Sequence, residues 1–326
     1  MANEIVTQYN KLLENISNEL DISESRFKQA EERYKAIGKW LSREDSSVAE
    51  FHPDIYPQGS FRLGTLIKPV TDEEEYDIDL VCVLDITKNQ VSQKQLKEMA
   101  GKEIIDYARA NSMKSMPENK RRCWTLNYAD GAQFHMDILP ALPDGDSFQN
   151  FLESKGISAN WTELAIAITD KTHPNYNRID DDWLCSNPKG YAEWFKYRMK
   201  TQFDVQIKSF AESIRASIED VPEYKVKTPL QRAVQILKRH RDKRFLGHKL
   251  EEDKPISMII TTLSAKLYQN EGDLYSTLKN IVEQLDAHAA LLSPGITLNE
   301  SLRSQRLIER KPEGSWYIPN PVNPEE

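Results

Sequence analysis

The sequence predicts an α+β fold, in which a first half with a mixed sheet and helices is followed by a largely helical second half. Residues 76–86 are dense in isoleucine, leucine and valine, which favours a buried strand. Residues 123–128 and 133–139 are two further strand-like runs, and Ala129-Asp130-Gly131 between them is a strong hairpin signal. The later sequence is largely helical and predicts helices over residues 191–215, 228–245, 256–268 and 274–292. We therefore expect two parts, residues 1–189 and 190–326.

A long amphipathic helix is predicted ahead of the sheet, over residues 23–43. Phe27, Tyr34 and Leu41 recur every seven residues, so they share one face of a helix. Ser23 stands where an N-cap is expected, because its side-chain oxygen can accept a hydrogen bond from a backbone amide of the first turn. We interpret this segment as a helix that packs along the body of the protein.

The remaining segments carry weaker patterns. Residues 94–111 suit a helix, and Pro140 and Pro143 are expected to end the strand region. Residues 144–188 carry no strong pattern and are expected to be irregular, and residues 319–326 are extended and proline-rich.

Composition limits the classes of function. The 326 residues are enough for one large fold or two closely packed domains. The net charge of −8 argues against a protein that coats long nucleic acid, since such proteins usually have a basic surface. No run of about 18 apolar residues occurs, so no membrane span is expected, and no secretory signal is apparent. Three scattered cysteines predict free thiols in a cytoplasmic protein: Cys82, Cys123 and Cys185.

The main chemical signal is the segment Asp77-Ile78-Asp79. Residues i and i+2 of a strand point to the same face, so both carboxylates project together. Two like charges this close need a counter-ion, and Mg²⁺ or Mn²⁺ suits oxygen ligands. Such a site normally takes a third carboxylate from a neighbouring strand. Asp137, embedded between apolar residues, is the candidate. We therefore predict Asp77, Asp79 and Asp137 as catalytic metal ligands.

A glycine–serine pair, Gly59-Ser60, precedes these carboxylates. Glycine lets the backbone approach a phosphate closely, and the following amides and the Ser60 hydroxyl can bind its oxygens. Gly-Ser alone most often marks a turn. Followed by a same-face acidic pair and a later strand aspartate, it predicts a site for a nucleotide phosphate.

Gly59-Ser60, Asp77-Ile78-Asp79 and Asp137 together resemble the active-site signature of the DNA polymerase β-like nucleotidyltransferases. The longer strings at residues 59–65, GSFRLGT, and 76–81, YDIDLV, resemble one branch more closely. This branch is the bacterial cGAS/DncV-like nucleotidyltransferases, which also resemble the oligoadenylate synthetases. The resemblance implies a bilobed polymerase β-like core with a mixed sheet, a helical C-terminal lobe and a long N-terminal helix that joins them.

The resemblance also implies an activity. Proteins of this family use Mg²⁺ or Mn²⁺ to make short cyclic oligonucleotides from ATP and other nucleoside triphosphates, and the products are second messengers in bacterial anti-phage defence. The implied partners are an effector protein that the product activates and regulatory proteins encoded in the same operon. Neither a membrane nor an extended nucleic acid is expected as a partner.

Further phosphate ligands follow from the same resemblance. Lys238 lies beside the inward stripe of a basic helical segment, where the family places a lysine that binds the donor triphosphate. Ser257, at the start of the next predicted helix, matches an assisting serine. The alternatives are a solvated basic face for Lys238 and a helix cap for Ser257. Arg62 is a third candidate, with ion pairing to Glu73 or Glu74 as its alternative.

Other interpretations stay open at this point. One alternative is an enzyme that transfers nucleotides to RNA, a protein or a small molecule, and another is a non-catalytic nucleotide-binding regulator. The complete acidic triad argues against the last of these. His135 and His240 have no partner at ligand spacing, so we interpret them as structural residues.

Overall fold

Two structural units make up the chain. The computed structural model describes residues 2–71, 74–128, 134–157, 160–249, 251–290, 307–311 and 314–324. The sheet unit comprises Ile22–Leu63 and Lys68–Glu193, and the helical unit comprises Met1–Asp21, Gly64–Ile67 and Trp194–Glu326. Residues 2–21 thus belong to the helical unit, and the division into two lobes at residue 189 stays a prediction.

The described residues form nine α-helices and nine strands. The helices are α1 (Ala2–Leu20), α2 (Glu24–Leu41), α3 (Gly59–Arg62), α4 (Gln93–Ala110), α5 (Gly145–Ser154), α6 (Pro188–Ile214), α7 (Pro229–Phe245), α8 (Ser257–Leu267) and α9 (Leu274–Ala290). The strands are β1 (Asp54–Pro57), β2 (Tyr76–Val83), β3 (Glu118–Asn119), β4 (Trp124–Tyr128), β5 (Phe134–Pro143), β6 (Ile166–Ile168), β7 (Leu184–Ser186), β8 (Glu309–Arg310) and β9 (Trp316–Tyr317).

One mixed sheet organises the sheet unit. Its strands follow the order β1-β2-β5-β4-β3, while β6 pairs with β5 and β7 pairs with β6. The central pair, β2 and β5, is parallel, and the other neighbouring strands are antiparallel. The topology therefore places the strand with Asp77 and Asp79 directly beside the strand with Asp137.

One face of the central strands forms the core of this unit around the acidic residues, and the C-terminal part of the other face packs in a second apolar cluster. Ile78 and Leu80 of β2, and Met136 and Ile138 of β5, are fully buried. Each such side chain contributes roughly 1.5–3 kcal/mol through burial. Because side chains alternate along a strand, the residues between these apolar positions project from the opposite face. The core thus fixes the face on which the acidic residues lie.

The helical unit is built on α1, α7, α8, α9 and most of α6. Apolar residues of α7, among them Leu230 and Val234, are fully buried in it. The short segment Gly64–Ile67 belongs to this unit. Gln235 Nε2 donates a hydrogen bond of 2.8 Å to the Leu66 carbonyl, and Ile67 forms an isolated β-bridge with Asp21.

Most predicted elements are confirmed within a few residues. The helix predicted over residues 23–43 is α2, and the Ser23 side chain accepts from the Arg26 backbone amide at 3.4 Å. The three predicted strands are β2, β4 and β5, and β4 and β5 are antiparallel. The four later helices are α6 to α9, as far as the structure describes them. The predicted turn Ala129-Asp130-Gly131 lies outside the described residues.

Two expectations about this region were wrong. Pro140 does not end the strand, since β5 continues to Pro143. On one side of β5, β4 pairs as far as Ile138 and β6 begins pairing at Ala141. Pro140 lies in that gap, where its missing N–H removes no ladder bond. The irregular region 144–188 contains α5, β6 and β7, and the two strands have only three residues each, too few to show a period.

Cys82, Cys123 and Cys185 are all free thiols, as predicted. In the part of the chain that the structure describes, no helix is long and apolar enough to cross a membrane.

Candidate active site

The acidic residues lie on the face of the sheet opposite the core. Asp77 and Asp79 alternate with buried residues along β2, and the Asp77 side chain is 57% exposed. On β5, Asp137 is paired in register with Asp79, and its side chain is 23% exposed. Neighbouring strands lie about 4.8 Å apart. The pairing therefore brings carboxylates from two strands together on one accessible face.

His135 lies within this acidic group. It pairs in register with Asp77, and its Nε2 is 3.2 Å from Asp77 Oδ1, while its Nδ1 is 3.5 Å from Glu75 Oε2. The hydrogen bond with Asp77 raises the pKa of His135, burial opposes this, and the charges of Asp77, Asp137 and Glu75 add to the rise. The position of His135 beside Asp77 was not predicted from the sequence.

Residues of strand β4 and of the segment that precedes it contact Asp137. The Thr125 hydroxyl donates to Asp137 Oδ1, and Lys120 Nζ lies 3.9 Å from the same oxygen. Burial, followed by the Asp137 charge, raises the pKa of the Cys123 thiol to about 11. The thiol is therefore neutral near this carboxylate at physiological pH.

Two buried residues, Lys97 and Asp170, hold the basic stretch that contains Lys120. Lys97, which is fully buried, donates through Nζ to the carbonyls of Lys120 at 2.6 Å and Arg121 at 2.9 Å. The buried carboxylate of Asp170 accepts from Nε of Arg121 and from Nε of Arg122, both at 2.8 Å. These contacts hold the backbone of Lys120 and Arg121 and pair both arginines with Asp170, while the Lys120 side chain lies near Asp137.

Gly59 brings the glycine–serine turn against Asp79. Its φ of +58° lies in the left-handed region, which favours glycine. A Cβ at this position would be 2.5 Å from Asp79 Oδ2, closer than real Cβ atoms approach other atoms. The Gln58 backbone amide also donates to the Asp79 carbonyl at 2.8 Å. Gly59 is therefore required here for both its conformation and its small size, and Ser60 follows it in α3.

Arg62, at the end of α3, lies over an aromatic ring. Its guanidinium is 5.9 Å from the centre of the Tyr56 ring, and Lys189 Nζ lies 4.0 Å from the same ring. Glu74, one of its suggested ion-pair partners, instead accepts a hydrogen bond from the Val70 amide at 2.9 Å. The other suggested partner, Glu73, lies outside the described residues.

Lys238 and Ser257 both belong to the helical unit. Lys238 is 4% exposed, and its Nζ donates to the Thr65 carbonyl at 3.0 Å. Ser257 begins α8, and its hydroxyl accepts from Arg241 Nη1 at 3.1 Å. Their assignment to the donor triphosphate stays a prediction.

The acidic face has the donor chemistry that a divalent cation requires. Three carboxylates on one face of two paired strands offer the oxygen ligands that Mg²⁺ and Mn²⁺ prefer. Among the described residues, however, no group of three or more histidine, cysteine, aspartate and glutamate side chains is gathered as a metal-binding cluster. Asp77 and Asp137 contact His135 and Thr125 instead. The donor set fits a divalent cation.

The sequence is similar to a known protein family and to a named bacterial protein. Residues 53–140, which contain Gly59 and all three predicted metal ligands, match the family model described as cyclic GMP-AMP synthase DncV-like, nucleotidyltransferase domain. A relative from Roseivirga ehrenbergii named c-di-GMP synthase is 29% identical over 321 residues, which cover 98% of this chain and 72% of that protein.

Solved structures share the fold. CdnG from Bradyrhizobium diazoefficiens, solved in complex with GTP, aligns with a TM-score of 0.63 and 19% identity, covering 96% of this chain and 82% of that one. CdnC from E. coli MS115-1, solved in a complex named CdnC:HORMA-deltaN, aligns with a TM-score of 0.53 and 14% identity, covering 95% and 79%. The family-model match over residues 53–140 and the relative that aligns along nearly the whole chain agree with the resemblance of the sequence to the bacterial cGAS/DncV-like nucleotidyltransferases.

Proposed function

We propose that this protein is a metal-dependent enzyme that synthesises a cyclic oligonucleotide from nucleoside triphosphates. The observation that carries the proposal is the in-register pairing of Asp79 with Asp137, with Gly59 packed against Asp79. The name of the Roseivirga relative, c-di-GMP synthase, and the GTP complex of CdnG support a cyclic dinucleotide as the product and GTP as a substrate.

The reaction assigns a role to each acidic residue. A ribose hydroxyl of one nucleotide attacks the α-phosphorus of another, a new P–O bond forms, and the bond to pyrophosphate breaks. Asp77 and Asp79 would hold the cation, and Asp137 would complete this ligand set and help to activate the attacking hydroxyl by drawing its proton away. Bound Mg²⁺ or Mn²⁺ supplies positive charge that neutralises the phosphates and the leaving pyrophosphate.

The surrounding residues position these groups. Gly59 and Ser60, at the start of α3, bind phosphate oxygens through the turn that touches Asp79. Arg62 adds a positive charge at the end of α3. Lys238 and Ser257 contribute to binding of the donor triphosphate. His135 orients Asp77, and Thr125 orients Asp137, through the contacts described above. Catalysis then depends mainly on positioning and charge neutralisation, as is general for phosphoryl transfer.

The proposed biological setting follows from the family. We place the product in anti-phage signalling in the bacterial cytoplasm, where it activates an effector protein. Regulatory proteins encoded in the same operon are the proposed further partners, and the CdnC:HORMA-deltaN complex of a structural neighbour is consistent with such partners.

The product can be identified by incubating the full chain with all four ribonucleoside triphosphates and either Mg²⁺ or Mn²⁺. Mass spectrometry of phosphatase-resistant material then gives the bases and the ring size. The matched variants are Asp79→Asn and Asp85→Asn, because Asp85 is an exposed carboxylate just beyond the end of β2.

We expect a cyclic oligonucleotide from the wild type and Asp85→Asn, and none from Asp79→Asn. If the nucleotide is instead found attached to RNA, a protein or a small molecule, the enzyme uses that acceptor and the proposed cyclic product is wrong. Binding of nucleotide without any transfer, under either metal and with a co-encoded protein added, would indicate a non-catalytic regulator.

A further inference from the structure

A basic pocket lies within the helical unit, apart from the acidic residues in sequence. It has a volume of about 520 Å³ and is formed by the C-terminal half of α6, the segment that precedes α7, and the first turn of α7. Ligand pockets in proteins typically have volumes of about 300–1,000 Å³. The size therefore suits a small organic molecule rather than a single inorganic ion.

Positive charge dominates the wall of this pocket. Lys225, Lys227 and Arg232 line it, and the described lining residues include no aspartate or glutamate. Such a concentration of cations is notable in a chain whose net charge is −8. An anion is the ligand class that this wall favours, because charge-assisted hydrogen bonds to a phosphate or carboxylate are among the strongest in proteins.

Two of these cations, Lys227 and Arg232, are partly buried. The Lys227 side chain is only 11% exposed, and its Nζ lies 3.2 Å from Asp21 Oδ1. Burial lowers the pKa of Lys227, Asp21 opposes this, and the charge of Arg232 lowers it further, which indicates that the two cations repel each other. Arg232 Nη1 donates to the neutral amide oxygen of Asn18 at 2.8 Å. A bound anion would relieve this repulsion.

The other walls suit a planar ring and sugar hydroxyls. Phe210 and Val205 supply apolar surface, and Ser209 supplies a hydroxyl beside them. An aromatic side chain can stack on a nucleobase, and this stacking contributes roughly 1–3 kcal/mol per base. A phosphate near the cations and a base near Phe210 would use both kinds of wall.

We propose that this pocket binds a phosphorylated nucleotide at a second site, separate from the acidic residues of the sheet unit. The choice of a nucleotide among anions with a planar ring rests on the proposed function, which supplies nucleotides both as substrate and as product. The phosphate faces Lys225 and Arg232, and the base lies against Phe210.

Lys227 connects the pocket to the segment that follows the glycine–serine turn in the chain. Its Nζ donates to the Gly64 carbonyl at 2.7 Å. Gly64 has a φ of +65°, and a Cβ there would be 2.5 Å from Gln231 Nε2. Substitution of Lys227 would therefore disturb Gly64 as well as the pocket, so the test uses the other lining residues.

Binding is measured by isothermal titration of the full chain in EDTA with GTP, cyclic di-GMP and inorganic tripolyphosphate as separate probes. The pocket variants are Lys225→Gln, Arg232→Gln and Ser209→Asp, the last of which places a carboxylate at an exposed position of the wall. Lys208→Gln is the matched control, because Lys208 is an exposed lysine of the same helix that does not line the pocket. Thermal unfolding of each variant checks that it is folded.

We expect at least one of the two nucleotides to bind the wild type and Lys208→Gln equally, and the pocket variants at least about tenfold more weakly. Stronger binding of GTP identifies the substrate as the occupant, and stronger binding of cyclic di-GMP identifies the product. Nucleotide binding that is absent, or that folded Lys225→Gln and Ser209→Asp retain, overturns the inference. Equal affinity for tripolyphosphate overturns the assignment to a nucleotide.

Synthesis of the cyclic product is measured separately on the same samples with metal. Product formation without a pocket-dependent binding signal rejects only the second site. Pocket-dependent binding by a wild type that makes no product rejects only the proposed function.

Discussion

Asp79 and Asp137 are paired in register on the parallel strands β2 and β5, and both project from the face opposite the core. The apolar residues on either side of each aspartate are buried, so neither strand can shift by one residue without placing a charge in the core. Two carboxylates held across one strand spacing repel each other unless a cation lies between them or beside them. This relationship makes the sheet face suited to a divalent cation.

Replacing Asp79 or Asp137 by asparagine should lower activity without lowering stability. We predict that Asp79→Asn and Asp137→Asn each lower the rate of nucleotidyl transfer by about 100-fold or more, because a ligand for the charge-neutralising cation is lost. Thermal unfolding in EDTA is expected to be unchanged or to shift upwards, since one of two like charges is removed. Asp85→Asn serves as the control and retains activity. A large drop in the unfolding temperature of Asp137→Asn would instead indicate that its contact with Thr125 is mainly structural.

Gly59 allows a comparison between two glycines with similar backbones. We predict that Gly59→Ala abolishes most activity, because its Cβ would displace the Asp79 carboxylate. Gly156 also has a left-handed φ, +68°, but nothing lies within 4 Å of a Cβ placed there. Gly156→Ala therefore carries only the backbone strain, about 1–2 kcal/mol, and retains activity. Steady-state rates and urea unfolding of both variants test this, and equal loss of activity in the two would contradict it.

Asp170 is expected to stabilise the protein in a pH-dependent manner. Burial alone would raise its pKa, but hydrogen bonds from Arg121, Thr172 and Arg122 outweigh burial and hold the pKa well below the usual range. A carboxyl with a lowered folded-state pKa contributes stability that is complete above its unfolded pKa, about 4, and is lost as pH falls through the folded pKa. We predict that Asp170→Asn lowers the unfolding temperature by several degrees between pH 5 and pH 8, and that the difference narrows below about pH 4.

The control for this prediction is an exposed carboxylate in an ion pair. Asp45 lies 3.0 Å from Arg43, and its side chain is 83% exposed. Exposed pairs contribute little, roughly 0–1 kcal/mol, so Asp45→Asn should unfold close to the wild type at every pH. A difference between Asp170→Asn and wild type that grows on acidification would have the wrong sign for this explanation.

Substitution of Lys238 tests whether this residue of the helical unit binds the triphosphate of the substrate. We predict that Lys238→Met raises the KM for nucleoside triphosphate about tenfold, as expected for loss of one charge-assisted hydrogen bond, with a smaller change in kcat. The methionine also loses the hydrogen bond to Thr65, so a modest drop in unfolding temperature is expected. Lys243→Met, at an exposed position of the same helix, is the control. An unfolding temperature that drops while KM stays constant would assign Lys238 a structural role alone.

Local patterns predicted the elements that carry the site. The apolar run of β2 and the embedded Asp137 of β5 identified both strands and the three acidic residues, because side-chain alternation and burial are local properties. The N-cap at Ser23 was recognisable for the same reason. Gly59 was chosen for its likeness to a phosphate-binding turn, and the structure adds the close approach to Asp79.

Relationships between distant segments were not predictable in this way. The contact of His135 with Asp77 depends on the parallel register of β2 and β5, which no local pattern specifies. Lys120 and Thr125 reach Asp137 through the antiparallel neighbour β4, so the same reason applies to them. The hydrogen bond between Lys238 and Thr65 joins residues far apart in the chain. Such pairings are set by tertiary packing.

The central claim is that the acidic residues of β2 and β5 catalyse metal-dependent nucleotidyl transfer, whatever the acceptor. Its most direct test is the release of pyrophosphate from nucleoside triphosphates by the full chain in Mg²⁺ or Mn²⁺, compared with EDTA and with the Asp77→Asn/Asp79→Asn double variant. We predict release by the wild type that requires metal and is lost in the double variant. Release that continues at the wild-type rate in the folded double variant would contradict the claim.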